Sequence, residues 1–370
     1  MRQCTIAALA AALLLTVRGS VQAAATSDPT GTATLKYDSR GASRVQTPAM
    51  IMGHNRFSVG SSSSMGVKVA GKTVKTSVRI LGKKFLLGFD RNGDGAISKA
   101  EWAVIPPTGN MIISGKSDGD SYVLGLTKMR VTYNKMTVSC WGQAIIRSSM
   151  AGSIDRIRVR ILDDNMDGQF NQTPKVQSFG DAIQIGSSSS AMPLRAIHRI
   201  GKHIYRLKVA SDGSSIDYER LEDVELGQVK ATFPRNSLRS LIMVGKDSAF
   251  DIKTDGLAGI PGGTYRLAYG AVGRSAASGL TFKPSTATPN YDIQPQMMNT
   301  MRIGTPLRLD FSADIRGGKV GLSAYNVKVM GSGSEVYGPI DFTRGGNAKP
   351  PTVTMLNGRR VVSSSSMKYG

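Results

Sequence analysis

The chain has 370 residues, of which 47 are Lys or Arg and 26 are Asp or Glu, for a formal net charge of +21, with 42 Gly and only 2 Cys. Its length suits two or three domains, and no stretch approaches the eighteen or so apolar residues that a membrane-spanning helix requires. The basic residues are scattered rather than gathered into a compact run, which argues against a dedicated nucleic-acid module.

In chain order, residues 1–23 read as a signal peptide. Arg2 supplies a short basic start, Ile6 to Val17 is an apolar run, and Val21-Gln22-Ala23 presents small residues where cleavage occurs. The mature chain is expected to begin near Ala24 and to be secreted or periplasmic. Cys4 leaves with the signal, so Cys140 alone remains and no intramolecular disulfide can form. Stability outside the cell must then come from packing or bound ions. Residues 24–56, rich in Ser, Thr, Gly and Ala, read as an exposed, flexible N-terminal segment.

Abundant Gly, Ser, Thr and Val with few long helical patterns imply a mainly β protein. Residues 57–231 are expected to form an antiparallel β-sheet domain, and residues 232–370 a second β domain. The first domain opens with β-branched alternation at Val67, Val69, Val74, Val78 and Ile80. Phe85 to Phe89 then runs into Asp90-Arg91-Asn92-Gly93-Asp94-Gly95-Ala96-Ile97-Ser98-Lys99-Ala100-Glu101.

That stretch fits D-x-[DN]-x-[DN]-G-x5-E at every specified position. Asp90, Asn92 and Asp94 alternate so that three side-chain oxygens can converge on one hard cation. Gly95 permits the sharp turn, Ala96 offers its carbonyl, Ser98 ligates directly or through water, and Glu101 closes with two oxygens. Ile97 takes the apolar position that ties such a loop to a core. Over these twelve residues the loop resembles the EF-hand calcium sites, and the resemblance implies bound Ca2+. The flanks depart from that family: Gly82, Gly88 and the β-branched residues before the loop suit a strand. After it, Ser98 to Val104 is expected to make about two helical turns before Pro106-Pro107 stops them.

A strand is then expected over Ile154 to Leu162, with Ile157, Val159 and Ile161 on one face and Arg156, Arg158 and Arg160 on the other. The arginine row is the best candidate face for an acidic polysaccharide, lipopolysaccharide or another anionic envelope polymer, partners that the net charge favours. The strand enters a second, diverged loop, Asp163-Asp164-Asn165-Met166-Asp167-Gly168-Gln169-Phe170-Asn171. Here Asp163, Asn165 and Asp167 repeat the ligand spacing, Gln169 takes the carbonyl position and Phe170 stands where Ile97 stood. The closing position falls on Pro174, which offers no ligand, and Asp181 is the residue that could fold back to replace it.

The Gly-Ser-Ser-Ser-Ser run at Gly60 to Ser64 and Gly186 to Ser190, and Ser363 to Ser366, carry no assigned chemistry. Asp212-Gly213 marks a hairpin. In the C-terminal part, Ile260-Pro261-Gly262-Gly263-Thr264-Tyr265-Arg266-Leu267 looks like the turn and tyrosine-bearing strand of immunoglobulin-like and transthyretin-like β-sandwiches, and the resemblance covers those eight residues. Asn357-Gly358 is expected to turn a last hairpin.

Enzyme signatures mostly dissolve. Gly66 to Thr73 fits the P-loop expression, but alternating and β-branched residues stand where a helix N-terminus should follow. Gly115 to Gly119 fits G-x-S-x-G without the helix that a nucleophile elbow needs. His198 and His203 lack the spacing of a helical zinc pair, and Cys140 reads as a buried thiol. The expectation is a non-catalytic, secreted calcium-binding protein. The alternatives are an adhesion protein that uses the basic face, and a hydrolase with an unrecognised site.

Overall fold

A computed structural model describes residues 30–39, 45–52, 54–60, 66–117, 120–133, 137–173, 180–231, 233, 238–252, 258–273, 280–316, 319–322, 327–338 and 352–366. The expected signal peptide, Ser61 to Ser64, Asp118-Gly119, Pro174 and Pro350-Pro351 lie outside them. The fold is mainly β, built from several antiparallel sheets. Among the described residues, the helical pieces are Pro48–Met52 and a single 3-10 turn, Lys99–Glu101.

Three apolar clusters organise the strands. Around the first lies the sheet ordered Arg56–Gly60, Val138–Ile146, Asp120–Tyr133, Met111–Ser117. Its buried Phe57, Leu124, Leu126 and Cys140 meet Leu87 and Phe89, which lead into the first loop, and Leu162 and Met166, which belong to the second. One core thus anchors both loops. Fully burying a side chain of this size contributes about 1.5–3 kcal/mol.

A second cluster joins two sheets. One carries Met192–Pro193, Ala182–Ile185, Ile157–Leu162, Ser149–Ile154 and Lys36–Asp38; the other carries Thr30–Thr34, Ser215–Leu221, His203–Val209 and Ile197–Ile200. Ile154, Val159, Ile161, Ile183, Tyr205 and Ile216 fill the space between them. A third cluster lies under the C-terminal strands, where Leu241, Met243, Tyr265, Leu267 and Phe282 pack with Val229, Ile260 and Met301.

Several expectations change. Residues 30–38 do not belong to a flexible segment, because Thr30–Thr34 and Lys36–Asp38 pair as edge strands with Ser215–Leu221 and Ser149–Ile154. The strand foreseen over Ile154 to Leu162 is a hairpin. Asp155 and Arg156 turn it with φ of 49° and 63°, and Ser149–Ile154 pairs with Ile157–Leu162. Arg156 therefore leaves the arginine row. The two helical turns expected over Ser98 to Val104 reduce to the 3-10 turn, and Trp102–Val104 continues as a strand on Lys84–Phe89. The boundary at residue 232 is crossed by Leu226–Ala231, which pairs with Ala258–Pro261 and Met298–Met301.

The last hairpin shifts by one residue. Asn357 pairs with Arg360, and the turn passes through Gly358 at φ 58°. The P-loop-like segment is the hairpin Val67–Val69 with Lys72–Val74, turned at Ala70 and Gly71.

Candidate metal centre

Each ligand-spaced loop connects two neighbouring antiparallel strands of one sheet. The first spans Lys84–Phe89 to Trp102–Val104, and the second spans Ile157–Leu162 to Ala182–Ile185. Among the described residues neither is flanked by the helices of a helix-loop-helix hand: Lys84–Phe89 enters a sheet ahead of the first loop, and Ile157–Leu162, with its β-branched Ile157, Val159 and Ile161, ahead of the second.

The two loops share one hydrogen-bond pattern. Gly95 N donates to Asp90 Oδ2 at 2.9 Å, and Gly168 N to Asp163 Oδ2 at 2.8 Å. Asp94 N donates to Asn92 Oδ1, and Asp167 N to Asn165 Oδ1, both at 3.2 Å. Ala96 N donates to Asp94 Oδ1 at 2.8 Å, and Gln169 N to Asp167 Oδ1 at 2.9 Å. The last four are Asx-type bonds from acidic and amide side chains placed two residues before a free N–H, while Asp90 and Asp163 reach five residues forward. Gly95 and Gly168 take φ of 81° and 87°, a region costly for residues with a Cβ. The repeat seen in the sequence is thus a repeat of backbone geometry.

The closures differ. In the first loop Glu101 is buried, and its carboxylate curls onto the loop's own backbone. It accepts from Arg91 N at 2.6 Å, Asn92 N at 3.2 Å, and Ser98 N and Oγ at 2.9 Å each. Those donors, chiefly Ser98 N, hold its carboxyl below the usual carboxylate range. Asp94 is exposed and accepts from Asn92 Nδ2 at 2.7 Å. Lys75 Nζ already donates to the Gly95 carbonyl at 2.7 Å.

In the second loop Asp181 folds back. Asp181 N donates to the Gln172 carbonyl at 3.0 Å, and Gln172 N donates to Asp181 Oδ2 at 2.7 Å. Each of Asp163, Asp167 and Asp181 offers a carboxylate oxygen, and the three oxygens lie within 4.8 Å of one another. Among the described residues, Asp90, Asp94 and Glu101 form no such group.

Electrostatics set the triad apart. Burial pushes the Asp163 carboxyl up to about 7, and the charge of Asp167 adds to it. Burial pushes Asp181 up to about 8, with Asp163, Asp167 and Asp164 adding repulsion. Asp181 is 1% exposed, and its Oδ1 has no hydrogen-bond partner. Three carboxylates crowded in low dielectric favour either protons or a cation between them.

The hairpin at Ala70-Gly71 supports the second loop. Gly71 N donates to the Met166 carbonyl at 2.8 Å, and a Cβ on Gly168 would stand 3.0 Å from Ala70. In the first loop, half-buried Ile97 and the Trp102 ring press so closely on Gly88 that a Cβ there would meet them at 2.9 and 3.0 Å.

Asp164 was not foreseen as part of the site, because it occupies an unspecified template position. It is fully buried, accepts from Ala49 N at 2.7 Å, and burial raises its carboxyl to about 6. No spacing in the sequence could show that the helix Pro48–Met52 sits over it.

The other candidate groups are structural or engaged. His198 is buried: Arg195 N donates to its Nε2 at 3.0 Å, and its Nδ1 faces the Ala249 carbonyl at 3.1 Å. Burial lowers its pKa to about 4. His203 is exposed and stands edge-on to Tyr205. Burial pushes the Cys140 thiol up to about 11, far from a reactive thiolate. Arg158 pairs with Asp38 at 2.7 Å and Arg160 approaches the same carboxylate at 3.5 Å. Comparison with known families, curated proteins and solved structures found no match to this chain.

Proposed function

We propose that the chain is a non-catalytic calcium-binding protein of the exported class, in which Asp163, Asp167 and Asp181 hold a structural Ca2+ between two β-strands. The observation that carries this reading is the unpartnered, buried Oδ1 of Asp181 within a triad of carboxylates. The donor set is oxygen only. With no His or Cys in the triad, it suits a hard cation rather than zinc or copper. Asn165 and the Gln169 carbonyl are the further oxygens that the EF-hand-like spacing offers. Asp90, Asn92, Asp94, Ala96, Ser98 and Glu101 form the second candidate loop, in which the Glu101 carboxylate is turned onto the loop's own backbone.

A filled site removes the repulsion among the triad and stabilises the native state by mass action, by about 2.7 kcal/mol at a hundredfold excess over Kd. Extracellular modules bind at roughly 0.1–1 mM, so the ion acts as a strut rather than a switch. The alternative reading, binding of acidic polysaccharide or lipopolysaccharide, would rest on Arg158 and Arg160, whose charge the single Asp38 carboxylate beside them offsets in part.

The test is calcium titration calorimetry on metal-stripped protein, with Asp163→Ala/Asp167→Ala and Asp90→Ala/Glu101→Gln variants alongside. The expected result is a binding heat in the wild type that the first variant loses. No heat at millimolar calcium would overturn the reading. Heat lost only in the second variant would move the site to the Asp90 loop.

A further inference from the structure

Beside the second loop lies a cavity of about 480 Å³. We infer that it binds a neutral, hydroxyl-rich ligand, of which a sugar ring is the fitting class. Its walls come from separate parts of the chain: Tyr37 on an edge strand, Met150 on the next strand, Ala70 at the hairpin turn, and Asp163, Gly168 and Phe170 in the loop. The volume falls in the range of small-molecule sites, about 300–1,000 Å³. The inference stands apart from the cation reading, although the two share Asp163.

The lining chooses the ligand class. Hydroxyls dominate its polar part, with Ser121, Ser148 and Ser149 beside the tyrosines, and each hydroxyl can both donate and accept. Ser149 is 1% exposed, and its Oγ has no partner. A buried hydroxyl left without a hydrogen bond is unfavourable, which favours a ligand group that can satisfy it. Tyr37 is 44% exposed at the rim. Its ring offers the negative π-face on which the C–H side of a sugar packs.

Charge excludes the partners that the whole chain attracts. The molecule carries +21, yet the lining holds the carboxylates of Asp163 and Asp212 and no Lys or Arg. An acidic sugar would find no basic side chain in the lining to pair with. An organic ammonium is the competing class, because the lining carries two carboxylates, but it would leave most of the hydroxyl lining unmatched. Asp163 accepts from Asp167 N and Gly168 N, and Asp212 accepts from Ser214 N and Oγ.

The experiment is a glycan array spanning neutral, sialylated and sulfated glycans, read with the full mature chain and with Tyr37→Ala and Ser149→Ala. Thermal unfolding serves as the folding control. Retention of neutral glycans, weakened about threefold to tenfold by each substitution without a change in unfolding temperature, is the expected result. No retained glycan, retention confined to acidic glycans, or neutral binding indifferent to both substitutions would each overturn the inference. A parallel titration with tetramethylammonium that binds where no glycan does would replace the sugar with an organic cation.

Discussion

The carboxylates of Asp163 and Asp181 offer oxygens within 4.8 Å of each other, although the segment between them carries the whole second loop and the expected closing position. Neither residue has a basic partner in the triad. Folding therefore brings two buried acids together, and the free energy of that encounter depends on what occupies the space between them.

Asp181→Asn removes one of the repelling charges while keeping the side chain's size. The metal-free variant is expected to unfold at a higher temperature than the metal-free wild type, and to bind calcium at least tenfold more weakly. Calorimetric scans with and without calcium check both effects. A variant less stable than wild type in the absence of metal would mean that the repulsion is not felt.

The stability of the metal-free protein should fall as pH rises. The folded pKa values of Asp163 and Asp181 stand near 7 and 8, above the unfolded value of 3.8, so between about pH 4 and 8 the folded state binds more protons than the unfolded one. Their contribution is fully present below pH 4 and is lost as pH climbs through 7 and 8. Excess calcium, which competes with those protons, is expected to flatten or reverse the slope. Unfolding temperatures at pH 5 and pH 8, in chelator and in calcium, measure the difference.

Glu101 acts before any ion arrives. Its four loop contacts predict that Glu101→Gln, which presents an NH2 to amide donors, destabilises the metal-free protein by about 1–2 kcal/mol. The folded pKa lies below the ordinary glutamate value of 4.5, so this contribution is present above pH 4.5 and is lost as pH falls through the folded value. Urea unfolding of both proteins in chelator at pH 7 and pH 4 is the check, and equal midpoints at pH 7 would contradict it.

The two loop glycines differ in what surrounds them. Gly95 has open space, so Gly95→Ala is expected to cost only the strain of a left-handed residue, about 1–2 kcal/mol. Gly168 has the same type of φ, and in addition an added Cβ would meet Ala70 at 3.0 Å. Gly168→Ala should therefore be the more destabilising of the two in urea unfolding. The reverse order would place the strain elsewhere.

Much of the scaffold was legible in the chain. β-branched alternation from Val67 to Ile80 gives strands because such side chains fit a pleated, half-buried surface. The D-x-N-x-D-G spacing gives the same turn twice, because short polar side chains capture nearby amides whatever surrounds them. The Asp155-Arg156 turn was not legible. Alternation runs from Arg156 to Ile161 and slips only at Ile154-Asp155, too small a break to tell a hairpin from one long strand without the pairing of a neighbour. The first loop has the complete ligand pattern and the second an incomplete one, yet the carboxylates gather in the second.

Sequence by itself determined the β class, the loop conformations and the glycines they need, because these are local matters of backbone sterics and side-chain reach. Tertiary structure decided which acids meet and how deeply they are buried. It folded Asp181 onto Gln172, set the Ala70-Gly71 hairpin against the second loop, and spent Arg158 and Arg160 on Asp38. Repulsion, desolvation and cation affinity all depend on through-space distance and burial, quantities that separation along the chain does not specify.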